Sequence, residues 1–371
     1  MPSPFCLTNL PVEVLLEVVE QAKQHQTLQA LRLVNRLFNV LVSPVLFTKI
    51  VLRLSSDGLK SSLGLLHAVY ATGDTTSISR HVKELVVDRS NEFEDPTSRS
   101  STFPLPTKVD PGLRQEFDIL FTKAVYCLNG LRTLRVLSGY DDTSTIPISS
   151  IWNALKDHDI PLRDIYLSGK IDQAFLDYLG SYTGIETLHT RGVWASRVSS
   201  VDRSMSEAFT RSLLRHQGSL RRLTVIAEME GPWSLGRHGV RLDGFDRLEG
   251  LVISVNPEDV AMTDDEMEFD AITWWISVAH DLPSLHTISF NMVEYRSLNR
   301  WNPVRYTDRH VPLTIRLMLK RVSAFKAAAY ERQSPDVCVY GQVFKMGSDN
   351  RYQASLTEEE ARERRWKRIE V

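Results

Sequence analysis

The chain has 371 residues, 42% hydrophobic and 24% charged, and a formal net charge of -2. These are the values of an ordinary globular chain long enough for two or three domains, without the global field that draws a protein to nucleic acid or an acidic membrane. Three scattered cysteines, Cys6, Cys127 and Cys338, have no C-x-x-C spacing and argue against a disulfide framework or a cysteine-based zinc site.

There is no Asn-x-Ser/Thr sequon and no basic segment leading into an apolar core at the N-terminus. No apolar run approaches the ~20 residues of a membrane span. The expected compartment is the cytosol, the nucleus or both, with neither membrane nor nucleic acid as a partner.

The first elements lie in "LTNLPVEVLLEVVEQAKQHQTLQALRLVNRLFNVLVSPVLFTKI", residues 7 to 50. Pro11 suits the first position of a helix, and Glu13 suits the positive end of its dipole. Leu15, Val18, Val19 and Ala22 follow at helical spacing. "KQHQ" interrupts, Thr27 caps a second helix running to about Val42, and Ser43-Pro44 stops it. On a wheel, Leu28, Leu31, Val34, Phe38 and Val42 fill one arc and Ala30, Leu33, Leu37, Val40 and Leu41 the adjacent one. That apolar surface is about twice the ~100° stripe needed by a helix resting on one core. Either the following domain covers the second arc or another protein's helices do.

From residue 47 an apolar residue is followed at +3 and +5 by two more. The triplets are Phe47/Ile50/Leu52, Val82/Leu85/Val87, Leu131/Leu134/Val136, Leu162/Ile165/Leu167, Leu220/Leu223/Val225, Leu248/Leu251/Ile253 and Leu285/Ile288/Phe290. An eighth, Ile185/Leu188, has Thr190 in its third place. Helix-like stretches such as "LRQEFDILFTKAVYCL" and "MSEAFTRSLLRHQ" lie between them. The intervals vary from 23 to 49 residues, longer and less regular than the ~20–29 of a leucine-rich repeat. The pattern is therefore similar to a degenerate form of that repeat. It predicts an α/β solenoid over residues 51–346, with parallel strands and outer helices, in which stacked units share one core.

Residues 90–111 and 295–312 are expected to be loops. "LTIRLMLKRVSAFKAAAYER" has a helical pattern, and "DVCVYGQVFKM" predicts one or two closing strands. Residues 347–371 are expected to form a charged tail helix, from the Glu358–Arg362, Glu360–Arg364 and Glu363–Lys367 pairs.

No catalytic constellation is present: no G-x-G-x-x-G, no G-x-x-x-x-G-K-[ST], no G-x-S-x-G and no H-E-x-x-H. The expectation is a chain that is not an enzyme and needs no cofactor or metal. If the +3 and +5 residues point inward, those at +2, +4 and +6 line the opposite sheet face. Those positions are Thr133, Arg135, Leu137, Asp164, Tyr166, Ser168, Thr187, His189, Arg191, Arg222, Thr224, Ile226, Val252, Ser254, Ser289 and Asn291. Arg135, Tyr166, His189, Arg191 and Arg222 are the candidate substrate-binding residues, since Arg and Tyr are enriched at binding hot spots.

Residues 5–50 resemble the F-box motif. The matching features are Leu10-Pro11, Glu13, Leu15, Val18, the Leu28/Leu31 pair, "RLVNRLFNVL" and Ser43-Pro44 before Leu46-Phe47. Asn35-Arg36-Leu37-Phe38 stands where that family often carries a cysteine before its basic and aromatic residues, and "KQHQ" lacks the family's common acidic residue. The resemblance implies a small helical unit docking on the Skp adaptor of a cullin-based ubiquitin ligase. The adaptor-binding residues would be Leu10, Pro11, Leu15, Val18, Leu31, Val34, Leu41 and Pro44. An F-box followed by degenerate leucine-rich repeats is similar to substrate receptors common in fungi. The alternative is a repeat scaffold whose N-terminal helices only cap the solenoid.

Overall fold

The computed structural model describes residues 10–22, 25–71, 78–88, 110–137, 148–194, 199–227, 233, 242–255, 260, 270–292, 307–327 and 334–355. The chain divides into two compact units, Met1–Leu162 and Arg163–Val371.

The first unit begins with three helices where the sequence suggests two: α1 (Val12–Gln21), α2 (His25–Val34) and α3 (Arg36–Leu46). Asn35 makes the difference. Its backbone is extended, and its side-chain oxygen accepts the Phe38 N–H at 2.8 Å, which caps α3. Thr27 therefore lies within α2 rather than capping it. Pro44 lies inside α3, which ends only at Phe47, whose N–H donates to the Ser43 carbonyl. Leu15, Val19, Leu28, Phe38, Val42 and Leu46 form a core of their own, with Leu10, Leu31, Leu37 and Leu41 packed partly against it.

α3 leads through Phe47 and Thr48 into β1 (Lys49–Arg53), followed by α4 (Ser56–Ala71), β2 (Glu84–Asp88), α5 (Pro111–Cys127), β3 (Thr133–Leu137) and α6 (Ser149–Asp157). The three strands are parallel and adjacent in chain order. The triplets set their register: Ile50 lies beside Leu85 and Leu85 beside Leu134, while Leu52, Val87 and Val136 form the next row. All six are buried.

In the second unit come β4 (Asp164–Lys170), α7 (Gln173–Leu179), β5 (Thr187–Trp194), α8 (Ser199–Leu213), β6 (Arg222–Ala227), β7 (Gly250–Val255), α9 (Ala271–Asp281), β8 (Thr287–Met292), α10 (Thr307–Ala324), β9 (Asp336–Val339), β10 (Gln342–Met346) and β11 (Tyr352–Ala354). Strands β4 to β9 pair in parallel, again in chain order. One interior row is Ile165, Leu188, Leu223, Leu251, Ile288 and Val337. The next is Leu167, Thr190, Val225, Ile253, Phe290 and Val339. Thr190 fits this second row because its hydroxyl donates to the Thr224 carbonyl at 2.9 Å, so the side chain is fully buried without an unmatched donor.

Backbone carbonyls staple one strand entry to the next from β4 to β7. The Arg163 carbonyl accepts the N–H groups of Glu186 and Thr187, Glu186 those of Arg221 and Arg222, and Arg221 those of Glu249 and Gly250, at 2.7 to 3.1 Å. Side chains along this row alternate in sign, with Arg163–Glu186 at 3.2 Å and Arg221–Glu249 at 3.7 Å.

A buried histidine joins consecutive repeats. His216 is 1% exposed; its Nε2–H donates to the Leu179 carbonyl at 2.9 Å, leaving Nδ1 to accept the Ile185 N–H at 3.3 Å. Burial pushes its pKa below the ordinary histidine value, and the same cause lowers His280.

Residues 347–355, the start of the expected tail helix, form a turn and a strand instead. β9 and β10 form a hairpin through Tyr340 and Gly341, both at positive φ as a tight two-residue turn requires. β11 then adds antiparallel to β10, so the sheet runs past residue 346 to Ala354. Tyr352 is the anchor: its buried hydroxyl donates to the Pro335 carbonyl at 2.9 Å and lies 3.3 Å from His280 Nε2. Burial raises the phenol pKa, keeping the donor protonated. Residues 356–371, with the Glu358, Glu360 and Glu363 pairs, lie outside the described residues, as do 90–109 and 295–306 of the two expected loops. Thr307–Ala324 is helical, so the second loop ends before residue 307.

Two measurements test this arrangement. Leu223→Ala removes the centre of an interior row and should destabilise by about 2–5 kcal/mol in urea unfolding, whereas Arg222→Ala, one residue earlier on the opposite face, should stay within about 0.5 kcal/mol. The second concerns pH. Histidines with lowered folded pKa values bind fewer protons than in the unfolded chain, so the stability they allow is complete above about pH 6.5 and is lost as pH falls through their folded pKa values. The urea midpoint should drop between about pH 7.5 and pH 5, and His216→Asn should flatten that drop.

Candidate protein-binding surfaces

Two surfaces carry the candidate binding residues, one in each unit. The first is the face of α2 and α3 that points away from their own core. Leu33 is 85% exposed, Val34 63% and Val40 61%, with Pro44 and Val45 also exposed. The break at Asn35 puts Leu33 and Val34 on α2 and Val40, Pro44 and Val45 on α3, while Leu31, Leu37 and Leu41 pack partly against the core. No described part of the chain covers Leu33, Val34 or Val40.

The candidate adaptor residues divide accordingly. Val34, Val18, Pro11 and Pro44 are exposed; Leu10, Leu31 and Leu41 are half-buried against the helical core. Leu15 is a correction, since it is fully buried inside that core and has no surface to offer. The reason is rotational: Leu15 and Val19 share the side of α1 facing α3, while Val14 and Val18 lie on a flank.

The second surface is the outer face of β4, β5 and β6. Register places Tyr166 beside His189 and His189 beside Thr224, and the Tyr166 and His189 rings have centroids 5.7 Å apart. Asp164, Thr187 and Arg222 form the row below; Ser168, Arg191 and Ile226 form the row above. Tyr166, His189, Arg191 and Arg222 thus share one face.

A fifth and a sixth member, Lys170 and Trp194, were not expected from the spacing. β5 carries one extra residue at Gly192, where φ is 61° and the register shifts against both neighbouring strands. After this bulge Val193 points inward and is fully buried, while Trp194 joins the outer face opposite Lys170. The Lys170 ammonium lies 5.3 Å from the centre of the Trp194 ring, a cation–π contact. An isolated glycine in a strand pattern marks such a bulge, so "TRGVW" carried the signal.

Two expected members of the sheet face differ. Arg135 belongs to the first unit, where its Nε lies 2.9 Å from Glu84, which also pairs with Lys49 at 3.2 Å. It is one rung of a charge ladder across β1, β2 and β3. Ser254 is fully buried because its hydroxyl oxygen accepts the Ala227 N–H at 2.9 Å.

Two grooves lie on the helical side. One, of about 330 Å³ between α7 and α8, is lined by Gln173, Asp177, Arg211, Ser212 and Arg215. Its Gln173 amide donates to Asp177, and its Ser212 hydroxyl donates to the Leu176 carbonyl. The other, of similar volume between α4 and α5, holds His67 beside Glu116 at 3.6 Å. Among the described residues no three His, Cys, Asp or Glu side chains gather to hold a metal, and no helix is long and apolar enough to cross a membrane.

Compared with known families and with curated proteins, the sequence matches no family model and no curated relative.

Replacing Gly192 with valine should test the bulge. A β-branched side chain resists left-handed φ, so Gly192→Val should lower stability by roughly 1–2 kcal/mol in urea unfolding, while Arg191→Ala beside it should change little.

Proposed function

We propose that this chain is the substrate receptor of a cullin-based ubiquitin ligase: an F-box helical unit docks a Skp-type adaptor, and degenerate leucine-rich repeats hold a protein substrate. One observation carries the docking half. Leu33, Val34 and Val40 are exposed beside a helical core that is already complete without them. Isolated exposed apolar residues need no explanation, but an apolar patch marks an interaction site, and Leu33, Val34 and Val40 lie on two helices that pack against each other. The resemblance of residues 5–50 to the F-box motif supplies the identity of the occupant. In this scheme the chemistry of transfer belongs to the partners, and this chain contributes binding and position.

The second reading is a repeat scaffold that binds no adaptor. It is favoured by the direct passage of α3 through Phe47 and Thr48 into β1, as in a solenoid cap.

Co-expression with a Skp-type adaptor, followed by size-exclusion chromatography and a binding titration, separates the two. The wild-type chain should co-elute with the adaptor. Val34→Asp combined with Val40→Asp should weaken binding about a hundredfold or more, since each buried apolar side chain contributes roughly 1.5–3 kcal/mol. Both positions are exposed, so circular dichroism should show an unchanged fold. Failure of the wild-type chain to bind favours the scaffold, and full binding by the double variant removes the docking face.

A further inference from the structure

We infer that the outer face of β4, β5 and β6 recognises an extended acidic peptide segment with an aromatic residue between its carboxylates. The inference deepens the receptor reading above and rests on it only for the word substrate, since the binding concerns this unit alone.

The outward positions of these strands carry three cations, Lys170, Arg191 and Arg222, and three rings, Tyr166, His189 and Trp194. Asp164, at the far corner beside Thr187, is the one acidic residue at these outward positions among the described residues, and Asp172, which caps α7, lies within electrostatic reach of Lys170. Lys170 and the two arginines are exposed, and the rings are half-buried. The face is therefore positive with flat apolar surface between its charges, complementary to an acidic and aromatic partner.

The layout of the charges sets the form of that partner. Arg191 pairs in register with Ile226, four residues beyond Arg222 on the next strand. At about 3.3 Å per residue and 4.8 Å between strands, the two arginines stand roughly 14 Å apart. Lys170 pairs with Trp194 beyond the bulge, about 8 Å from Arg191 by the same measure. The three cations thus form a diagonal, spaced along it rather than gathered at one point. A single phosphate favours converging donors, whereas carboxylates spaced along an extended chain match a diagonal. At about 3.4 Å per residue the span corresponds to roughly seven residues, with acids near positions 1, 5 and 7. Tyr166 and His189 then lie beneath position 3. The Gly192 bulge brings the Trp194 ring to the surface beside Lys170, which β4 itself presents two residues after Ser168.

Fluorescence anisotropy on the full chain tests this, using a labelled library with Asp or Glu at those three positions and an aromatic residue at position 3. The acidic library should bind at least tenfold more tightly than its Asn/Gln counterpart, and the preference should weaken with added salt. A folded Lys170→Gln, Arg191→Gln, Arg222→Gln triple variant should lose the preference, and Trp194→Ala should weaken both libraries. Equal affinity for the two libraries, no binding up to about 1 mM, a fully retained preference in the triple variant, or tenfold tighter binding of a singly phosphorylated, otherwise neutral library would each overturn the inference. Adaptor co-elution measured on the same preparations reads the receptor assignment separately. Loss of adaptor binding with peptide preference intact removes only that assignment, and the converse removes only the peptide site.

Discussion

In-register parallel pairing of short strands is the constraint on which both compact units depend. Each strand supplies two or three inward side chains, too few to make a core alone. Register turns them into continuous rows, from Ile165 to Val337 and from Leu167 to Val339 in the second unit. The doubly accepting carbonyls of Arg163, Glu186 and Arg221 hold that register at the strand entries. A slip by one residue would turn every row to the wrong face, so the hydrogen-bond ladder and the hydrophobic burial protect each other.

Several of the described polar groups enter this interior with a partner. Thr190 donates to Thr224, His216 joins the Leu179 carbonyl to the Ile185 N–H, and Tyr352 holds Pro335. His216 and Tyr352 bridge elements from different repeats, so they specify which repeat stacks where. Apolar rows stabilise without much selectivity; a buried hydrogen bond is lost entirely when its partner is displaced.

The surfaces left for function are what this packing does not use. In the sheet of the second unit, inward alternation leaves Tyr166, His189, Arg191 and Arg222 on one outer face. In the helical unit, one stripe of each helix builds the small core of Leu15, Phe38 and Val42, and the remaining apolar arc of α2 and α3 faces outward. The two surfaces differ in kind: one is apolar, the other mixes rings with single charges.

The inward residues and the order of strands were legible in the amino-acid sequence, because alternation is a local property: neighbouring side chains in a strand must point opposite ways. The break at Asn35 was also written locally, in a capping side chain, and was hidden by an apolar pattern that runs on through it. The fate of Leu15 was not, because its apolar neighbours Val14 and Val18 read alike until α3 picks one side of the helix. Tertiary structure alone decided that Arg135 meets Glu84, 51 residues away, and that Ser254 is buried against the Ala227 N–H. It also decided that the extra residue at Gly192 lifts Trp194 beside Lys170. Each of these depends on which residue of a distant strand lies opposite, and that register is set by the stacked rows as a whole, not by any single segment of chain.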